Sequence, residues 1–253
     1  MEVKNVPQKT IVIFIHGFMG SSRIFDDLAR SVKEKGFDVD LVTLAGHDDT
    51  IFKFFKTPSR MWTSSVDEYL DKMRTQYDNI ILVTHSMGGL ISINHLVDNC
   101  DKVRHIIAIA LPVNIQPRMR LVKSCLLYTF KKGSDADDKY VAAMRKQAGI
   151  GGIKFYNSPL LIPKTIAFFR LSNLTKIKIN KLTVPITVIN SEDDELVSRR
   201  SFWHIKRIKE NLNLIELKNS GHFWFEETEY NIVKDAVLSI LKEHTVDPQT
   251  KVC

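Results

Sequence analysis

The sequence predicts an α/β fold: a mostly parallel central sheet with helices on both faces, interrupted in mid-chain by a helical insertion. Three observations predict it. Over the first 110 residues, short β-branched apolar runs alternate with amphipathic stretches of helical spacing, the pattern of strands joined by crossover helices. The alternation then stops and resumes only near Val184. The interval between is also where positive charge collects: Val113 to Val184 holds 14 Lys and Arg against 3 Asp and Glu.

The elements follow in order. Thr10 to His16 is a β-branched apolar run ending in Gly17, a buried strand. Ser22 to Lys35 places Ile24, Phe25, Leu28 and Val32 near helical spacing, and Gly36 ends it. Asp38 to Leu44 is a second strand. Met61 to Gln76 is helical through Met61, Val66, Tyr69, Leu70 and Met73. Asn79 to Thr84 is a strand, and a helix over Ser86 to Val97 begins at once. Val103 to Ala110 is a strand. From Val113 to about Leu182 no strand is clear. There are amphipathic pieces at Met119–Phe130 and Asp137–Gln147, a glycine break at 149–152, and apolar stretches with Pro159 and Pro163. Val184 to Asn190 (strand), Arg200 to Asn211 (helix), Leu212 to Lys218 (strand) and Glu227 to Glu243 (helix) complete the pattern. The expected organisation is a discontinuous body, residues 1–112 and 183–246, with a helical cap over 113–182. A frayed tail begins near His244, and 247–253 lie beyond the body.

Composition removes several function classes. The 253 residues suffice to bury a large core, and 44% hydrophobic with 26% charged is a soluble globular composition, neither disordered nor fibrous. The longest apolar runs, Ile11–Ile15 and Ile106–Leu111, fall far short of the roughly 18 residues of a membrane span. No apolar segment follows Met1, so no signal peptide is expected, and a cytoplasmic location is. Cys100, Cys125 and Cys253 are odd in number and widely spaced, which fits a reducing compartment; Cys100 and Cys125 read as small buried hydrophobes. The formal charge of +7 comes without a basic stripe interleaved with aromatics, so no nucleic-acid partner is expected. The basic segment leaves room for weak contact with an anionic membrane surface. No metal-ligand spacing, phosphate loop or dinucleotide fingerprint is present, so neither metal nor cofactor is expected.

The chemistry concentrates at Thr84-His85-Ser86-Met87-Gly88-Gly89, where a strand enters and a helix leaves. A sharp strand-to-helix turn lifts a serine hydroxyl above the sheet edge, and it demands small residues around the serine because strand and helix approach closely. Gly88 and Gly89 meet that demand; Thr84 stands where a glycine is usual. The helix start offers unpaired N–H groups beside the hydroxyl. A serine alone is a poor nucleophile and needs an imidazole to take its proton. His222, in Asn219-Ser-Gly-His222, follows a strand and so falls on the same edge if the strands are parallel. Ser191-Glu-Asp-Asp-Glu195 follows another strand and offers a carboxylate to orient the imidazole. The order serine, acid, histidine is that of one hydrolase fold.

On His16-Gly17-Phe18-Met19-Gly20, Thr84-His85-Ser86-Met87-Gly88 and Gly221-His222 the sequence resembles the α/β-hydrolase superfamily. It is most similar there to small bacterial carboxylesterases and monoacylglycerol lipases with a helical cap. The resemblance covers nearly the whole chain, strongly at the two ends and weakly over the cap. It implies Ser86 as nucleophile, His222 as base and Asp194 as orienting acid, with Asp193 as the alternative and Glu195 as a surface charge. It also implies an oxyanion hole from the backbone N–H groups of Phe18 and Met87. His16 is expected to support that loop by hydrogen bonding, His47 to shape the loop after the second strand, and His85 to pack. The implied activity is hydrolysis of short-to-medium acyl esters or monoacylglycerols. Thioester, lactone or carbon–carbon cleavage on the same triad, or ligand binding with little turnover, remain alternatives. Apolar residues of the cap (Leu126, Leu127, Tyr128, Phe130, Leu160, Leu161, Ile162, Ile166, Phe168, Phe169), with Phe223–Phe225, either line an acyl pocket over Ser86 or pack onto the body.

Overall fold

The structure, a computed structural model, describes residues 8–47, 49–130, 138–151, 155–208 and 212–246. In chain order the elements are β1 (Thr10–Ile15), α1 (Asp26–Lys33), β2 (Asp38–Val42), β3 (Asp49–Thr50), α2 (Ile51–Lys56), α3 (Arg60–Gln76), β4 (Asn79–His85), α4 (Met87–Asp98) and β5 (Val103–Ile109). They continue with α5 (Met119–Phe130), α6 (Lys139–Gln147), β6 (Ile150–Gly151), α7 (Leu161–Lys178), β7 (Ile186–Ser191), α8 (Arg199–Ile208), β8 (Leu212–Leu217) and α9 (Glu227–Val246).

Six strands form one sheet in the order β2-β1-β4-β5-β7-β8, and every pairing is parallel. Alternation along each strand explains how both faces are covered. In β1, Ile11, Ile13 and Ile15 face a core completed by Trp62, Val66 and Leu70 of α3, Leu90 and Ile93 of α4, and Phe168 of α7. Val12 and Phe14 face the other, against Leu28 and Val32 of α1 and Val233 and Val237 of α9. Burying each such side chain contributes about 1.5–3 kcal/mol. Because all strands run one way, their C-terminal ends share one edge. Residues 16–21, Ser86, 192–197 and 218–222 all emerge there.

The structure departs from the sequence reading at identifiable points. The long helix α7 was masked in the sequence by its prolines. Pro163 sits in its first turn, where a missing N–H costs no hydrogen bond, and Pro159 lies in the preceding 3-10 turn (Phe155–Leu160). Helix α2, capped by the Thr50 hydroxyl, went unread because six residues show too little periodicity. The segment expected to lack strands contributes β6, which pairs in parallel with β3. Helix α9 continues through Val246, past the expected start of fraying; 247–253 lie outside the described residues. Cys125 is exposed and Cys100 half-buried, so neither is the buried hydrophobe expected.

Candidate active site

Ser86 sits between β4 and α4 with φ +52°, ψ −118°, a backbone that non-glycine residues rarely adopt. The turn is held by contacts too close for larger residues. A Cβ on Gly88 would lie 2.2 Å from the Ile15 carbonyl oxygen and 2.7 Å from that of His16. A Cβ on Gly17 would meet the Ser86 Cβ at 2.8 Å. Thr84, the departure from the usual glycine, is fully buried and its hydroxyl donates to the Ile107 carbonyl at 3.2 Å, so no polar group is stranded.

The three side chains that the sequence suggested meet at the sheet edge. Ser86 Oγ lies 3.0 Å from His222 Nε2, and His222 Nδ1 lies 2.9 Å from Asp194 Oδ2. All three residues are buried. An ionised carboxylate only accepts, so Nδ1 carries the imidazole proton and Nε2 is left to accept from the serine hydroxyl. The other oxygen of Asp194 accepts from the N–H groups of Leu196 and Val197, each at 2.7 Å. Burial opposes the charged form of Asp194, but His222 and these N–H groups outweigh it and hold the carboxyl below its usual range. For His222, burial pulls the pKa down while Asp194, by charge and hydrogen bond, and then Glu195 pull it up; the net shift is upward.

The acids of the 192–195 run separate cleanly. Asp193 points away from His222 and pairs with Arg118 (2.9 Å) and Arg120 (2.8 Å) of the segment entering and opening α5. Glu195, expected as a surface charge, is buried, and its Oε2 accepts the backbone N–H of His222 at 2.9 Å. No residue pattern distinguishes an acid that folds inward from its neighbours in a run of four. Glu229, also unforeseen, accepts the N–H groups of Lys218 and Asn219 and the Ser220 hydroxyl, ordering the start of the histidine loop.

Three further histidines near this edge, His16, His47 and His85, are engaged. Leu44 N–H donates to His16 Nε2 at 3.1 Å, so His16 Nδ1 donates to the Gly17 carbonyl at 2.9 Å. Met19 N–H donates to His47 Nε2 at 3.1 Å, and burial together with His16 presses the His47 pKa to about 3. His85 does more than pack: its Nε2–H donates to the His222 carbonyl at 2.9 Å, and burial holds its pKa near 3. Phe18 lies in the same recess as Ser86, and Met87 opens α4, where first-turn N–H groups have no partner within the helix.

That recess is lined by Gly17, Phe18, Ser21, His85, Ser86 and Phe223, among others, and by Gln147. Its free volume, about 10 Å³, is that of one water. Gln147 borders it, and residues 147–149 are fastened to the neighbouring loops. Ser21 N–H donates to the Gln147 carbonyl (3.0 Å), Gly149 N–H to the Met19 carbonyl (3.0 Å), Arg23 to the Ala148 carbonyl (2.6 Å), and Gln147 Nε2 to the Phe223 carbonyl (2.6 Å). Of the apolar residues considered for an acyl pocket, Phe223 borders this recess and others lie elsewhere. Phe168 stacks on Phe18 with ring centroids 5.3 Å apart, whereas Leu126, Leu160, Ile162 and Ile166 are exposed. The Phe130 side chain is outside the described residues.

Fold and site together define a serine hydrolase on the α/β-hydrolase scaffold. Comparison with known proteins agrees. The chain belongs to the family described as serine aminopeptidase S33 (Hydrolase_4), whose profile residues 6–229 match. It is similar over 240 residues to the thermostable monoacylglycerol lipase of Bacillus sp. (strain H-257), at 23% identity, covering 92% of this chain and 90% of that protein. Its fold is similar to that solved for the metagenome-derived lipolytic enzymes LipS and LipT (TM-score 0.73, 17% identity, 94% of this chain and 96% of that one). It is also similar to the Paleococcus ferrophilus monoacylglycerol lipase (TM-score 0.66, 16% identity, 92% and 94% covered).

Proposed function

We propose that this chain hydrolyses carboxylic esters of short-to-medium acyl chains, monoacylglycerols included, through an acyl-enzyme on Ser86. The buried relay Ser86–His222–Asp194, at 3.0 and 2.9 Å, carries the reading. His222 takes the hydroxyl proton as Ser86 attacks the carbonyl, Asp194 stabilises the imidazolium, and the N–H groups of Phe18 and Met87 bind the oxyanion. Water then releases the acid with the same base. The lipase relatives support the choice of an ester. The test is a nitrophenyl ester series from butyrate to decanoate beside an aminoacyl anilide. Activity confined to the anilide, or to charged acyl groups, overturns the reading.

The base must be neutral, and its pKa is raised above the ordinary 6.5. The rate constant kcat/KM therefore falls as pH drops through a midpoint above 6.5, not below it, which a pH profile on butyrate checks. Gln147→Ala removes one bond at the rim of the recess, about 1 kcal/mol, and is expected to raise kcat/KM roughly fivefold on acetate and decanoate alike. An unchanged kcat/KM on both esters rules out that role.

Residues 113–182 are read as the cap of this enzyme. Among the described residues no helix is long and apolar enough to cross a membrane. The cap's net charge of +11 and the exposed Ile162, Ile166, Phe169 and Ile177 on one side of α7 support weak contact with an anionic membrane surface. Failure to co-sediment with anionic vesicles at low salt removes that part. A cytoplasmic location and the absence of a nucleic-acid partner complete the reading, resting on cysteine usage and the lack of a basic aromatic stripe. Fractionation of cells and a shift assay check them.

A further inference from the structure

His222 lies in residues 218–226, which form neither helix nor strand, so no regular backbone fixes where its ring points. A relay of two hydrogen bonds tolerates little drift, because misplacement on the scale of 1 Å costs on the order of a hundredfold in rate. The backbone of His222 is nonetheless gripped on both sides. His85 Nε2–H holds its carbonyl at 2.9 Å, and the Glu195 carboxylate holds its N–H at 2.9 Å.

We propose that Glu195 is a positioning residue for His222, its buried carboxylate fixing the histidine's backbone so that the imidazole stays aligned between Asp194 and Ser86. The inference deepens the reading of Ser86 and His222 as nucleophile and base, and rests on it.

Three observations carry it. First, Glu195 is only 2% exposed, and burying a carboxylate is costly unless it is hydrogen-bonded and paired. Its hydrogen bond goes to His222, and its nearest cation is Arg120, 3.6 Å away. Second, the chain makes room for it. A Cβ on Gly221 would lie 2.8 Å from Glu195 Oε2 and 2.9 Å from Tyr140 Cε1, so only glycine before the histidine lets the carboxylate reach the next N–H. Third, the grip is tied to the helices that cover this edge. Arg118 N–H donates to the Glu195 carbonyl at 2.8 Å, and Arg120 bridges Glu195 and Asp193 while lying over the Tyr140 ring. Adjacent acids thus take separate tasks: Asp193 holds the arginines, Asp194 the imidazole, and Glu195 the backbone that bears it.

The titratable groups around the His222 ring are Asp194 and Glu195 from the loop after β7 and His85 from the end of β4. Glu195→Gln keeps an acceptor and removes the charge; Glu195→Ala removes both. The His222 imidazole is titrated by proton NMR without substrate, alongside kcat, KM and fluorophosphonate labelling of Ser86. In Glu195→Gln the His222 midpoint is expected to fall by roughly half to one pH unit. In Glu195→Ala kcat per fluorophosphonate-titrated site is expected to fall about tenfold or more with KM within twofold, a loss that unfolded molecules, which take no label, do not produce. Asp193→Asn is expected to leave the His222 midpoint in place. The proposal is overturned if an active wild type has Glu195 variants with its own midpoint and kcat. It is equally overturned if Asp193→Asn moves the midpoint as far as Glu195→Gln does. A wild type that turns over no ester, yet whose midpoint drops in Glu195→Gln, sinks the ester reading and leaves the grip standing.

Discussion

Ser86→Ala is expected to lower ester turnover by roughly 10⁴- to 10⁶-fold and to abolish labelling by a fluorophosphonate. The size follows from the geometry. Ser86 Oγ is the oxygen within 3.0 Å of His222 Nε2, and the relay behind it is buried, so no solvent group can substitute in place. What survives is binding and, on the proposed mechanism, whatever the Phe18 and Met87 amides contribute to a water attack. The fold should be unaffected, because the positive φ at 86 is imposed by the β4–α4 turn and not by the hydroxyl. Intact-protein mass spectrometry after labelling, with the unfolding midpoint as control, settles it. An adduct retained in the alanine variant, on Cys125 for example, would mean the nucleophile lies elsewhere.

Gly88→Ala is the second large effect, and it acts on folding. The added methyl falls 2.2 Å from the Ile15 carbonyl oxygen, against an ordinary contact of 3.4 Å or more, and its next neighbour at 2.7 Å is also a backbone oxygen. No rotamer relieves a clash with backbone. Either α4 shifts off the sheet, or β1 bends and carries Phe18 with it. We expect a loss of about 3 kcal/mol or more, with residual folded protein impaired in kcat. Gly36→Ala is the matched control. A Cβ there has nothing within 4 Å, and its φ of +87° alone accounts for about 1 kcal/mol. If denaturant unfolding shows Gly88→Ala no weaker than Gly36→Ala, the close approach of β1 and α4 is not what the turn requires.

What the sequence made legible is what local pattern and topology control. Strands such as Ile11–Ile15 declare themselves by composition, and once they run parallel the residues just past their ends must gather on one edge. That is why Ser86, Asp194 and His222, up to 136 residues apart, could be named together. Contacts that depend on a side chain's direction at one position were not legible. Glu195 and Asp193 look alike in a run of acids, yet one turns inward and the other outward. The fastening of 147–149 onto 19–23 joins loops about 125 residues apart and leaves no periodic trace. Helix α7 was hidden because proline normally breaks a helix, and only its place in the first turn removes the objection.

The fastening of Gln147–Gly149 bears on how acyl length is chosen. With water-sized space beside Ser86, discrimination begins at the threshold, before any covalent change. A guest that displaces Gln147 must part it from its neighbours, and a small guest faces the same resistance as a large one. Only the apolar surface it brings to cover offsets that resistance, so longer carbon chains gain at the doorway whatever their intrinsic reactivity. A preference for length can then arise without any residue that measures it.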